Sequence, residues 1–465
     1  MPMPLTLTTR PEDLFPDLNL GDVRRNRRFR RVVEAIVAHP GASLPQLFPD
    51  RSDYNACLRL FDSPHCTHEN LLATHQEAAL AAMEQHTGVV LLIHDATTLD
   101  FSGHTTLEDD LGPIGNGGGT GWIAHQTLGI DPTNRTVFGL VSQLLHVRET
   151  VPKGESVAVR RNRKSRESLL WGHALDEIGP TPAQGHWIDV CDRGADIFEF
   201  LQQLGDRGRR FIVRSTHDRA LGSGPSDTTA ATRLHDQLRT LPATAHWELV
   251  VPSRAGQPGR VAWLHAAGCR ADLRPPHVKK GAYRNEAIAV GAVRIWEAAP
   301  PPGVEPLEWL LLTGEAVDTP QRLQHVGEWY ACRMQVEEYH KVQKSGLRVE
   351  GCQVQSASKM AALVAVLSVV AVALMNLRLA VRDPEVAKRP AEEVVPRVWV
   401  DVLSRTQRGR PMRGTVADFW VTLARLGGYQ KNPLKNPPGW ITLWRGWKTL
   451  HTLIRYHYLS TPKMP

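Results

Sequence analysis

Two strand-length segments, each followed at once by an aspartate, most restrict the folds open to this 465-residue chain. Residues 88–94 hold a continuous apolar run before Asp95, and residues 187–191 form a second such segment before Asp192. Continuous apolar runs of this length are typical of strands buried on both faces of a sheet. Helical patterns alternate with them, and turn residues at 131–134 predict a hairpin. The sequence therefore predicts an α/β domain around a mixed sheet.

The spacing of apolar residues divides the chain into three regions. Residues 1–75 carry helical stripes and predict a helical N-terminal domain. Residues 76–382 hold the α/β pattern, and their short strand-like segments at about 215–305 predict a β-rich insertion rather than a continuation of the sheet. A proline-interrupted stretch begins the last region, residues 383–465, which predicts a helical C-terminal domain.

The positive charge is concentrated in a few segments. The chain has a net charge of +7, whereas residues 401–465 alone hold eleven Lys and Arg against two Asp, a net charge of +9. Residues 24–31 contain six arginines, and residues 160–166 contain a third basic cluster. Separated basic clusters favour a polyanion as partner, with nucleic acid first. The alternative for any one cluster is a solvated helix face.

Several classes of protein are disfavoured. The six cysteines contain no C-x-x-C pair, which argues against a zinc ribbon or a dense disulfide framework. The N-terminal residues lack the charged-then-apolar pattern of a signal peptide. The longest apolar run, Met360 to Met375, is 16 residues long, shorter than the roughly 20 residues of a membrane span. A buried core helix, a cytoplasmic location and no membrane partner are therefore expected.

A predicted helix between about 320 and 346 presents a row of polar side chains. Tyr330, Arg333, Glu337 and Lys344 fall within a stripe about 60° wide at 100° per residue, opposite an apolar face. An ordinary amphipathic helix would explain an ion pair between Arg333 and Glu337. It does not explain the alignment of all four residues.

The row and the two aspartates together favour metal-dependent phosphodiester chemistry. Either aspartate alone is more often a capping or turn residue, but Asp95, Asp192 and Glu337 together make three carboxylates without a His or Cys cluster. Such oxygen ligands suit Mg²⁺ or Mn²⁺ rather than zinc. Two such ions can activate a water or a 3′-hydroxyl and stabilise the leaving oxygen. Arg333 and Lys344 are suited to hold phosphate oxygens.

Other acidic side chains and one histidine near these motifs are assigned structural roles. Asp100 and Asp189 are set aside, and Asp196 is expected to open the following helix, where a carboxylate is favoured. Glu338 is rotated away from the row beside it. His125 is expected to be a structural histidine rather than a metal ligand.

These motifs carry a resemblance to a known family. Tyr330-x2-Arg333-x3-Glu337-x6-Lys344, with Asp95-x-Thr97 and an aspartate motif starting at Asp192, resembles the bacterial DDE transposases of the insertion-sequence-four family, closest to the transposon-five type. The resemblance covers nearly the whole chain. It implies a ribonuclease-H-like catalytic core with a β-rich insertion, a helical DNA-binding head and a helical tail for dimer and DNA contacts.

The resemblance also implies an activity: cut-and-paste transposition by nicking, hairpin formation and resolution, and strand transfer into target DNA. The enzyme would act as a homodimer on the ends of its mobile element, in the bacterial cytoplasm at the nucleoid. The alternative is a catalytically inactive DNA-binding inhibitor or a decayed transposase copy.

Residue roles follow from the same resemblance. It assigns two Mg²⁺ ions per site, replaceable by Mn²⁺, to Asp95, Asp192 and Glu337. Contacts to the transposon-end strand are assigned to Tyr330, Arg333 and Lys344, and positions beside a flipped terminal base to Arg214 and Trp309. The head arginines expected to contact DNA are Arg24, Arg25, Arg27 and Arg28.

Overall fold

The computed structural model describes residues 10–152, 154–156, 159, 162–222, 232–251, 259–276, 283–380, 384–407, 412–433 and 438–460. Within these ranges the strands are β1 Val89–Asp100, β2 Gly112–Ile114, β3 Gly119–Ile130, β4 Val137–His146, β5 His186–Cys191, β6 Arg210–Arg214, β7 Ala245–Val251, β8 Arg260–Leu273, β9 Ile288–Glu297 and β10 Glu308–Thr313. The α-helices are α1 Pro11–Leu14, α2 Val23–Ala38, α3 Leu44–Leu47, α4 Arg51–Phe61, α5 His68–Glu84, α6 Leu170–Ile178, α7 Phe198–Asp206, α8 Leu234–Thr240, α9 Pro320–Ala331, α10 Met334–Lys341, α11 Ala357–Ala380, α12 Pro384–Lys388, α13 Arg397–Arg405, α14 Val416–Leu426 and α15 Trp440–Ser460.

These strands form one mixed sheet. Their order is β2-β3-β1-β5-β6-β10-β9-β8-β7, with β4 also paired to β3. The β1–β5 and β5–β6 pairs are parallel, whereas β3 pairs with β1 and β4 in antiparallel fashion. The α/β class and the β3–β4 hairpin predicted from the sequence are confirmed.

The 215–305 segment is rich in strands as predicted, but these strands extend the sheet, and the expectation that they would not continue it was wrong. β9 pairs with β10 from Trp296↔Glu308 to Gly291↔Thr313, and β10 pairs in turn with β6. The alternation of apolar and polar residues in β7 and β8 predicts strands. It carries no information on which strand pairs with which, because pairing is set by contacts distant in sequence.

The longest apolar run forms a buried core helix, as predicted. α11 lies at the centre of the largest apolar cluster of the described residues, where Met360, Val364 and Leu367 are all buried. The segment Ala357–Arg378 is long and apolar enough to cross a membrane, but 94% of its apolar window is buried inside the protein. A helix that is apolar all round is stable in such a core without facing lipid.

The arginine-rich helix of the head has the predicted apolar stripe, with Phe29, Val33 and Ile36 buried. It begins earlier than its apolar pattern because the Asp22 carboxylate accepts hydrogen bonds from the backbone N–H groups of Arg24 and Arg25. Capping therefore adds a polar, arginine-bearing turn ahead of the stripe.

One apolar cluster runs through all three predicted regions. It contains Val33 of the head, Ile93 of the sheet, and Trp444 and Trp447 of the tail. The tail tryptophans are thus core residues, in keeping with their helical spacing. Head, sheet and tail share a single core in this structure.

Candidate active site and DNA-binding surface

The register of two neighbouring parallel strands places Asp95 beside Asp192. The partners Ile93↔Val190 and His94↔Cys191 bring Asp95 and Asp192 to the next position of their strands, and such strands lie about 4.8 Å apart. β5 ends at Cys191 as predicted, but β1 does not end at Asp95. It continues to Asp100 because β3 pairs with it as far as Asp100↔Gly121.

Arg333 joins the third carboxylate to this strand pair. Its Nη1 lies 3.2 Å from Oδ2 of Asp95, and its Nη2 lies 2.7 Å from Oε1 of Glu337. The Arg333 side chain is only 14% exposed, so this charge-assisted pairing is largely sheltered from water. Arg333 thus contacts both Asp95 and Glu337, and Asp192 lies just past the end of the adjacent strand β5.

Burial and several nearby charges together set the pKa of Asp95. Burial, and then the negative charges of Asp192 and Glu337, raise the pKa of Asp95 to about 6, although Arg333 opposes the shift. Burial alone would lower the pKa of Arg333, but Tyr330 and the same carboxylates raise it. Burial is the largest cause of the raised pKa of Asp95, and the opposing charge of Arg333 does not cancel it.

The helix that carries the polar row is not continuous, contrary to prediction. α9 ends at Ala331 and α10 begins at Met334, because the Arg333 N–H bonds the Tyr330 carbonyl three residues back. After α10, residues Val342–Gly346 form a π-helical turn. The apolar back of α10 is buried as predicted, at Val336 and Tyr339.

Tyr330, Trp309 and Arg214 lie together beside the carboxylates. The Trp309 and Tyr330 rings are 5.2 Å apart at 66°. Arg214 pairs with Leu311 across β6 and β10, and its Nη2 reaches the Glu308 carbonyl at 3.4 Å. Burial raises the pKa of Tyr330, although Arg333 and Arg214 lower it. Trp309 is half-buried, so one part of its ring stays accessible.

Lys344 has a partner that sequence reasoning missed. Its Nζ lies 3.2 Å from Oε1 of Glu350, and the same oxygen accepts a hydrogen bond from the Asp100 N–H at 3.1 Å. Glu350 follows the π-helical turn by only a few residues. A carboxylate six positions after a lysine in a loop gives no periodic signal, which is why the pairing was not predicted.

A second missed feature lies within the sheet behind Asp95. His94 Nε2 is 2.8 Å from Oδ1 of Asp189, and Oδ2 of Asp189 is 2.7 Å from Nε of Arg209. Asp189 is fully buried, and its pKa is lowered because Arg209 and the His94 hydrogen bond outweigh the opposing effect of burial. An aspartate inside an apolar strand was the available signal, since buried carboxylates require partners.

Asp196 does not open the following helix, and that expectation was wrong. Its Oδ2 accepts the N–H groups of Thr216 and His217 at 2.7 and 2.8 Å, and Arg219 lies 2.6 Å from Oδ1. The next helix begins at Phe198 with no side-chain cap. Asp196 instead ties the loop after Asp192 to the chain that leaves β6. Glu338 leaves the row as predicted and pairs with Arg378.

The donor chemistry of the three carboxylates suits a hard divalent cation, but their present spacing is that of an ion-paired cluster. In the described part of the chain, no group of three or more His, Cys, Asp or Glu side chains is spaced to hold a metal ion. The Arg333 guanidinium lies between Asp95 and Glu337. His125 is buried, with neither ring nitrogen hydrogen-bonded, and packs on Trp171 at 4.7 Å.

The basic clusters differ in how much of their charge is free. Arg24 and Arg27 are exposed on α2, whereas Arg25 bonds the Leu20 carbonyl at 2.7 Å and Arg28 pairs with Asp53 at 2.8 Å. In the 160–166 cluster, Arg163 and Arg166 pair with glutamates, and Arg160 and Arg161 lie outside the described residues. Within the cluster on α2, the charge most accessible to DNA therefore lies at Arg24 and Arg27, with Arg30 one turn on.

Residues 11–66 match the family described as transposase DNA-binding. The matched segment begins at α1, includes the arginine-rich α2 and ends between α4 and α5. The match supports a transposase with DNA as its partner. It lies wholly within the region that the sequence predicts as a DNA-binding head.

Proposed function

We propose that this chain is a Mg²⁺-dependent cut-and-paste transposase of the insertion-sequence-four type, with a ribonuclease-H-like core. The observation that carries the proposal is the placement of Asp95 and Asp192 at adjacent positions of parallel strands, with Glu337 joined to Asp95 through Arg333. The mixed sheet and the DNA-binding match of the head support it. A homodimer, target DNA as second substrate and a cytoplasmic, nucleoid location belong to the same proposal.

Asp95, Asp192 and Glu337 would hold the metal ions. Bound there, two divalent ions supply an activated water or 3′-hydroxyl and stabilise the leaving oxygen of the phosphodiester. Arg333 pairs with Asp95 and Glu337 in the free protein and turns its guanidinium to phosphate when DNA arrives. Lys344 exchanges Glu350 for a phosphate oxygen, and Tyr330 donates its buried hydroxyl to another.

The second candidate is a DNA-binding protein that does not cut, either an inhibitor or a decayed copy. The arginine between Asp95 and Glu337 favours it, because a guanidinium there satisfies the carboxylates without a metal. The head match is equally compatible with this function.

Cleavage of end DNA by the full chain separates the two candidates. The substrate is a labelled duplex of the inverted repeat flanking the gene, incubated with Mg²⁺, with Mn²⁺ or with a chelator. If the chain is a transposase, we expect a nick at the element boundary and then a hairpin when either metal is present. With the chelator we expect neither product. Specific binding without cleavage in both metals would establish the second candidate.

Neutralising the free head arginines should weaken DNA binding in a salt-dependent manner. Arg24→Gln with Arg27→Gln removes two exposed charges, and each lost phosphate contact should lower the log–log salt slope by about 0.9. Arg28→Gln is the matched comparison, since this arginine is already paired with Asp53 and should change the slope less. Equal slopes for all three proteins would show that α2 does not face DNA.

Replacing Trp309 should slow hairpin formation more than nicking. A flipped base costs a few kcal/mol to unstack, and an aromatic face returns about 1–3 kcal/mol. Trp309→Ala removes that face, whereas Trp309→Phe keeps a ring and should retain most of the hairpin rate. If nicking and hairpin formation fall together in Trp309→Ala, the ring serves only to pack on Tyr330.

A further inference from the structure

The lysine of the polar row sits on an unusual turn. Residues Val342–Gly346 are π-helical, and the Leu347 N–H donates to the Val342 carbonyl, five residues back, at 2.8 Å. A π turn holds one more residue than an α turn, so it rotates the side chains after it relative to those before it. The direction of Lys344 relative to Glu337 therefore depends on this turn.

The inner side of the turn is fixed by a buried amide. Gln343 is fully buried, and its Nε2 donates to Oγ of Ser368 on α11 at 2.8 Å. Its Oε1 lies 3.4 Å from Nε2 of Gln126 on β3. Hydrogen bonds to two core elements leave the turn little freedom on this side.

The outer side of the turn is closed by the head and the tail at one glycine. A Cβ built on Gly346 would lie 2.0 Å from Cζ2 of Trp444 on α15. A Cβ built on Gly41, just after α2, would lie 2.4 Å from the Gly346 carbonyl oxygen. The first distance is far inside van der Waals contact, so only a residue without a side chain fits at 346 while Trp444 stays in place. The second distance shows that the Gly41 backbone approaches the Gly346 carbonyl too closely for a side chain at 41.

Trp444 is not free to move aside. It is 8% exposed, and its ring stacks on Trp440 at 5.6 Å and 22°. Trp440 lies beneath the Arg378 guanidinium at 4.9 Å, and Arg378 pairs with Glu338, next to Glu337. The first turns of α15 thus contact the Gly346 end of the segment directly and are linked to its Glu338 end through Arg378.

We propose that Gly346 and Trp444 are positioning residues, which hold the π-helical turn so that Lys344 faces the phosphate at the carboxylate site. This inference rests on the proposed function, because it gives Lys344 a DNA phosphate as its target. The tail thereby takes part in catalysis within its own subunit, through packing rather than through a contact with DNA.

The test is Gly346→Ala, with Gly205→Ala as matched control. Gly205 lies in α7 with nothing within 4 Å of an added Cβ. Misplacement of a phosphate contact by about 1 Å can cost 10²-fold, so Gly346→Ala should slow single-turnover cleavage of bound end DNA at least about tenfold. Gly205→Ala should cleave at the parent rate, and both should bind end DNA through an unchanged head.

Two further variants separate positioning from general damage. In a Lys344→Ala background, Gly346→Ala should add little to the loss, because residues that act through one contact are not additive. Trp444→Phe has a smaller ring, and Gly346→Ala with Trp444→Phe should recover most of the lost rate. Exchange of the Leu347 amide with solvent should be faster in Gly346→Ala and return to the parent rate in this double variant.

Full additivity with Lys344→Ala, failure of Trp444→Phe to restore cleavage, or a parent-like rate in Gly346→Ala would each overturn the inference. Failure of the proposed function is distinguishable from these outcomes. It would appear as no cleavage by the parent protein, or as no effect of Lys344→Ala on cleavage.

Discussion

Replacing Asp95, Asp192 or Glu337 with alanine should abolish cleavage of end DNA in Mg²⁺ while leaving end binding largely unchanged. Loss of a residue that merely supports a metal ligand costs about 10- to 100-fold, so loss of a ligand should cost at least about 10²-fold. Binding should persist because the family match and the free arginines lie in the head. The measurement is single-turnover cleavage beside a gel-shift titration.

Asp100→Ala is the control on the same strand. Asp100 is exposed and lies five residues beyond Asp95. Its Oδ1 accepts a hydrogen bond from Oγ of Ser102 at 2.6 Å. It should cleave at nearly the parent rate. If any of the three carboxylate variants cleaves at more than a few per cent of the parent rate, the residue replaced in that variant is not a metal ligand.

Deleting the chain after Leu403 should prevent folding rather than produce a protein that binds single DNA ends. The deletion removes Trp420, Trp444 and Trp447, all buried in the core shared with the head and the sheet. Each such loss costs about 3–5 kcal/mol, and the three together match the total stability of a typical domain, about 5–15 kcal/mol. Circular dichroism and protease resistance of the truncated chain measure the effect.

The proposed dimer needs gentler variants than this deletion. Ile441 and Tyr456 are 70% and 66% exposed on α15, and at 100° per residue they lie about 60° apart on one face of this helix. Ile441→Ser and Tyr456→Ser should leave the melting temperature unchanged and test whether this face pairs two DNA ends. For the deletion after Leu403, the opposite outcome is a truncated chain that folds cooperatively and binds DNA. That result would show that the tail is a separate domain.

Local patterns predicted the elements that carry the candidate site. The run before Asp95 and the segment before Asp192 form neighbouring parallel strands, and continuous apolar runs of this length are typical of strands buried on both faces of a sheet. The helical stripe of α2 and the buried back of α10 followed from a period of 3.6 residues in the same way. Strand and helix identity are local properties, and these were within reach of the sequence.

Tertiary contacts account for what the sequence could not show. The π turn Val342–Gly346 packs against α11 and α15 and leaves no mark in the periodicity. The break between α9 and α10 at Arg333 leaves none either. The partners of Lys344 and Asp189 lie in loops or on other strands. The sequence positions of Asp95 and Glu337 also do not show that the Arg333 guanidinium lies between their carboxylates.

The way the β-rich segment joins the sheet affects how this protein can vary. The segment between β6 and β10 adds β9, β8 and β7 to the far side of β10, while β6 and β10 stay direct neighbours, with Leu311 opposite Arg214. Because the departing and returning strands are hydrogen-bonded neighbours, the intervening loops can lengthen or shorten without displacing β1 or β5. Arg214 and Trp309 stand at this junction beside Tyr330. Changes in the inserted segment can therefore reach the chemistry through these two side chains, and also through Asp196, which accepts hydrogen bonds from Thr216 and His217 at the start of the segment.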